Sequence, residues 1–159
     1  MATATPPEPE ETALWQRRLA SQANNRAWAL SESTSRTAEE DEEMLQAAHA
    51  AMYFWKVVGN AGNRAHAAQL LAHVYALLGH GQPAKHYLTQ SEPIFFGPEA
   101  EAWECALAHS VAANVAAVNL DANAHRDHYQ QAVTLIEALP DPEDRNILAA
   151  TLRVVPHPA

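Results

Sequence analysis

The stretch NRAHAAQLLAHVYALLGHGQPAKHYLTQS, residues 63–91, decides the fold. Ala68, Leu71, Ala72, Tyr75 and Leu78 recur at three- and four-residue steps and form one apolar stripe at the helical period. Gly79 follows where a helix can close in the left-handed conformation that glycine adopts without a Cβ clash. Gly81-Gln82-Pro83 then turns the chain, and a second helix carries Ala84, Leu88 and Ser91 on one side, limited at its end by Pro93. The stretch therefore predicts a helical hairpin whose seam is made of small residues.

Downstream, Ile94-Phe95-Phe96 reads as an apolar connector, and Gly97-Pro98-Glu99 restarts the chain with Pro98 at a first helical position. An Ala-rich helix then runs to about Leu120, with Trp103, Ala106, His109, Ala113, Ala116 and Leu120 along one side. Asp121 suits the cap of a further helix carrying Tyr129, Ala132, Val133, Ile136 and Leu139. Asp141 and Pro142 open a last helix, whose Ile147, Leu148, Thr151, Leu152 and Val155 are expected to cover the end of the stack.

Upstream, Asn60-Ala61-Gly62-Asn63 reads as a turn, and Thr37-Ala38-Glu39-Glu40 has the spacing of a capping box. The acidic run Glu39–Glu43 fits the first turns of that helix, where carboxylates meet free N–H groups and the positive dipole end. Leu14, Trp15, Leu19, Ala23, Ala27 and Leu30 mark an earlier helix beginning near Glu11, with Trp15 and Trp28 as packing anchors. Residues 1–10 are expected to be a disordered tail, 11–155 one helical domain, and 156–159 a frayed end.

Composition agrees with an all-α chain, because Ala dominates, Gly occurs only 5 times in 159 residues, and β-branched runs are short. A formal charge of −9 with ten Lys and Arg argues against a nucleic-acid partner. A single cysteine leaves no intrachain disulfide and points to a reducing cytoplasm. No stretch approaches the roughly 18 apolar residues of a membrane span, so no membrane partner is expected.

Leu71, Ala72, Tyr75, Gly79, Ala84 and Leu88 stand where tetratricopeptide (TPR) repeats hold their consensus residues, and the hairpin resembles that family. Tyr129-Gln130-Gln131-Ala132 and Leu135-Ile136-Glu137-Ala138-Leu139 resemble its second helix again, about 41 residues on, with His125 where the family has Ala. The wider pattern is similar to uncharacterised bacterial TPR-like proteins. The resemblance implies a right-handed, TPR-like stack of about three antiparallel hairpins plus a C-terminal capping helix. It also implies a non-catalytic scaffold that holds a protein or peptide in a concave groove. The family's groove positions fall on His66, Gln69, His73 and Leu77, and in the second repeat on Leu107, Ser110, Asn114 and Val118.

Spacing alone also aligns His66, Leu70, His73 and Leu77 on one surface. On the preceding helix Glu42, Gln46, His49, Tyr53 and Lys56 form a polar stripe that is either a solvated face or a second groove wall, where His49 and Tyr53 would stack and hydrogen-bond. With no Lys or Arg at the groove positions, an acidic peptide is expected to bind better once His66 and His73 protonate near pH 6.

The alternative is a metal-dependent enzyme or small-molecule binder with a His/acid site assembled across helices. His125 and His128, three apart with Asp121 or Asp127 nearby, are the weak metal candidates, and Glu101, Cys105 and His109 lie one turn apart. The chain has no His-Glu-x-x-His, Walker, Gly-x-Ser-x-Gly or dinucleotide signature, so no catalytic residue and no cofactor is assigned. A homodimer through apolar end faces is compatible with either reading.

Overall fold

The computed structural model describes residues 8–159, so the expected tail lies outside the described residues except for its last three positions. The described chain is all-α: α1 (Pro9–Ser31), α2 (Ala38–Val58), α3 (Ala61–Leu77), α4 (Gly81–Phe95), α5 (Ala102–Val118), α6 (Ala122–Ala138) and α7 (Pro142–Arg153). Helix α1 begins at Pro9, two residues before the expected Glu11, because a proline fits the first turn.

The helix starts follow their caps. Thr37 Oγ1 accepts from the Glu40 N–H at 3.2 Å while Glu40 Oε2 accepts from the Thr37 N–H at 2.8 Å. Asn60 and Asn63 make the same reciprocal pair, so the supposed turn at 60–63 is the first turn of α3. Asp121 and Asp141 cap α6 and α7 through the N–H groups of Ala124 and Glu143. Two proline readings are corrected. Pro93 lies inside α4, which continues through the wholly buried Phe95, and burial of that ring outweighs the lost backbone bond. Pro98 precedes α5, whose start is set by the Glu101 N–H donating to Glu104 Oε2 at 3.0 Å.

Consecutive helices pair, α1 with α2, α3 with α4 and α5 with α6. In addition α3 packs on α1, α2 and α5, and α5 packs on α4 and α7. Helices α3 and α5 are thus surrounded, and Ala65, Ala67, Ala68, Ala72, Ala106, Ala112 and Ala113 are all buried in them. Small side chains there let neighbouring helices approach closely. Leu71, Leu70, Val74 and Met44 fill one part of the core; Val111, Val115, Ile136, Leu148 and Leu152 fill another, and Trp28 and Tyr75 border both. Trp28 therefore packs as expected, whereas Trp15 is 52% exposed on α1 and Ile147 points outward from α7.

The ends of α3 and α5 are built alike. Gly79 has φ +80, with the His80 N–H donating to Tyr75 O at 2.8 Å and the Gly79 N–H to Ala76 O at 3.0 Å. Leu120 repeats this with φ +59, as Asp121 N–H donates to Ala116 O at 3.0 Å and Leu120 N–H to Ala117 O at 3.1 Å. A leucine pays a steric penalty for that backbone and, at 90% exposed, packs on nothing in return. We expect Leu120→Gly to raise stability by about 0.5–1 kcal/mol after the entropy glycine gains in the unfolded chain. Denaturant midpoints of the two proteins check this, and a loss of stability would contradict it.

Candidate functional site

Of the expected groove positions on α3 and α5, His73 and Asn114 come together, and they do so inside the protein. Gln69, His73 and Ser110 are fully buried, and Asn114 is 3% exposed. The Asn114 side-chain amide donates to His73 Nδ1 at 3.1 Å, joining residues 41 apart in sequence. That bond places the imidazole proton on Nε2. Ser110 Oγ donates back to Ala106 O at 3.0 Å, so it is satisfied within its own helix. The indole of Trp28 on α1 stacks on the His73 ring, centroids 5.6 Å apart. The expected open groove wall is therefore covered, because α1 lays its tryptophan over the face of α3 that carries the row.

Two polar groups in this cluster remain without partners. Both amide atoms of Gln69 and Nε2 of His73 are buried and make no hydrogen bond. Burial, and secondarily the Arg36 guanidinium, hold the His73 imidazole down to about pKa 3. His73 thus stays neutral near pH 6, and the expected gain of acidic-peptide binding at that pH cannot come from it. Leu77, one turn beyond His73, sits at the rim, in a recess of about 270 Å³ formed with Ser33, Thr34, Arg36, Arg153 and Val154. The turn after α1 and the end of α7 meet there.

The other groove candidates point elsewhere. His66 is half-buried between Phe95 and Trp103, ring centroids 4.5 and 5.6 Å away, with Nε2 3.0 Å from Glu104 Oε1. His49 Nε2 is 2.7 Å from the Tyr75 hydroxyl and its ring is partly covered, which lowers its pKa. Tyr53 is 63% exposed and touches only its neighbour Phe54 among aromatic rings. Spacing on one helix put His49 and Tyr53 in a single stripe, but Tyr75 draws the imidazole inward and leaves the phenol in solvent.

His125 and His128 are not brought together on an ion. His125 Nε2 lies 2.7 Å from Pro156 O, while His128 turns to α5, its Nδ1 2.9 Å from His109 Nδ1. Phe96 packs against both rings of that second pair. Burial, then the neighbouring His128, pulls the His109 imidazole down to about pKa 4. Residues 109 and 128 sit on different helices, and no local spacing announces the contact. Cys105 is not activated by His109, since burial pushes its thiol up rather than down. Among the described residues no three His, Cys, Asp or Glu are grouped to hold a metal ion, and no helix is long and apolar enough to cross a membrane.

No family model, curated protein or solved structure matches the chain, so its chemistry is read from these residues alone.

Proposed function

We propose that the protein is a non-catalytic, TPR-like binding module for a protein or peptide, and that Gln69, His73, Ser110 and Asn114 are its recognition row. The TPR-like reading is supported by packing order: each helix pairs with the next, and the first helices of successive pairs, α1, α3 and α5, lie in contact.

One observation carries the recognition row: the Gln69 amide and His73 Nε2 are buried with no hydrogen-bond partner. Leaving such groups unpaired costs about 1–3 kcal/mol each. They offer one acceptor and two kinds of donor, the complement of a peptide backbone. Leu77, His73 and Gln69 follow one another at four-residue steps, so a peptide segment entering the recess at Leu77 meets His73 first and Gln69 next. Trp28 is the side chain it displaces.

Peptides selected from a random displayed library against the whole protein test this reading. Gln69→Leu should weaken a selected peptide by at least about tenfold, equivalent to one lost buried hydrogen bond, while raising stability by about 1–2 kcal/mol. Failure to select any peptide, or a peptide indifferent to Gln69→Leu, would contradict the proposal.

A further inference from the structure

A second cleft lies away from that row, between α2 and α4 over the start of α3, with a volume of about 470 Å³. Lys56 from the last turn of α2, Arg64 from the first turn of α3 and His86 from α4 line it. No acidic residue lines it, in a chain with 19 Asp and Glu against 10 Lys and Arg. Among the described residues neither Lys56 nor Arg64 forms an ion pair, whereas Arg26 and Arg36 are both paired with carboxylates. Arg64 is held by one guanidinium nitrogen donating to Gly59 O at 3.0 Å, the one side-chain hydrogen bond it makes among the described residues. His86 is placed by Gln90, whose side-chain nitrogen lies 2.9 Å from Nε2.

Apart from Gln90, the rest of the lining is apolar or aromatic, with half-buried Met52, Tyr87 and Ile94 as its larger side chains. Tyr87 is held flat by stacking on Tyr75, centroids 5.8 Å apart with planes 4° from parallel. A pocket with a few convergent polar groups beside an apolar wall is the usual form of a small-molecule site. Lys56 and Arg64 bring positive charge, and His86, whose Nε2 accepts from the Gln90 amide, has its Nδ1–H left to donate, a set that favours an anion.

From this geometry we infer that the cleft binds a small organic anion. Its carboxylate or phosphate lies between Lys56, Arg64 and His86, and its apolar or aromatic body lies on Met52, Tyr87 and Ile94.

Phenyl phosphate titrated into the full chain, followed by backbone amide signals, tests the inference. Saturable shifts are expected at Lys56, Arg64 and His86 to Gln90, with inorganic phosphate and benzyl alcohol each binding more weakly. In the double variant Lys56→Gln/Arg64→Gln affinity should fall by at least about tenfold, and raised salt should weaken the wild type as well. Both substitutions are on exposed side chains, and the dispersion of the same spectra reports that the variant is folded. Absence of saturable shifts, shifts centred elsewhere, or a double variant that binds as the wild type does would overturn the inference. Equal binding of inorganic phosphate and phenyl phosphate would overturn the part assigned to the apolar wall.

Discussion

Phe95→Ala is expected to destabilise the protein by about 3–5 kcal/mol, the range for removing a fully buried aromatic ring. Phe95 is wholly buried at the end of α4, in a cluster with Ala65 of α3 and Ala108 of α5, and its ring lies 4.5 Å from that of His66. The buried apolar residues of its cluster are alanines, too short to collapse into the space, so the cavity should persist and the loss should fall toward the upper half of that range. The same ring keeps the last turn of α4 helical despite Pro93, so amide exchange after residue 90 should rise in the variant. Denaturant unfolding checks the magnitude, and a loss below about 1.5 kcal/mol would show that the site repacks.

Acid should weaken the fold through His73. In the folded protein its pKa is about 3, against about 6.5 for an exposed histidine, so the unfolded chain binds the extra proton first as pH falls. The stability His73 contributes by staying neutral is complete above pH 6.5 and is lost as pH falls from there toward 3. At about 1.36 kcal/mol per unit, roughly 2 kcal/mol should be gone by pH 5. Half-buried His109, also depressed, acts in the same direction with a smaller effect because solvent screens it. The double variant His73→Leu/Asn114→Leu removes both hydrogen-bonding partners together and should lose about 2 kcal/mol less between pH 7 and pH 5 than the wild type. Equal pH dependence in the two proteins, or a His73 ring signal that titrates near pH 6, would show that the imidazole is not sealed from water.

The helices were legible because their signals are local. Thr37 with Glu40, Asp121 and Asp141 each announce a start within four residues, and each cap forms as read. Gly79 announced its left-handed turn, while Leu120 gave no sign of the same backbone because only the hydrogen bonds after α5 require it. Pro93 and Pro98 misled for a related reason: proline reports on its own φ and missing N–H, and the burial of a neighbour such as Phe95 decides whether the helix continues.

The buried row was legible only in part, and its depth was hidden. Repeat register expects Gln69, His73, Ser110 and Asn114 in one row, of which His73 and Asn114 meet; nothing local to α3 revealed that Trp28, more than forty residues earlier, would stack on His73. The contact of His109 with His128, and the placing of Lys56, Arg64 and His86 around one cleft, cross helices and have no spacing to betray them.

The most direct test of the recognition row is the side-chain amide of Gln69, observed by its NH₂ resonances while a selected peptide is added to the whole protein. If the row binds peptide, these resonances shift in step with saturation and their exchange with water slows, because the orphaned amide acquires partners. If the peptide saturates the protein while the Gln69 amide signals stay in place, the buried row is a feature of the core and recognition happens elsewhere.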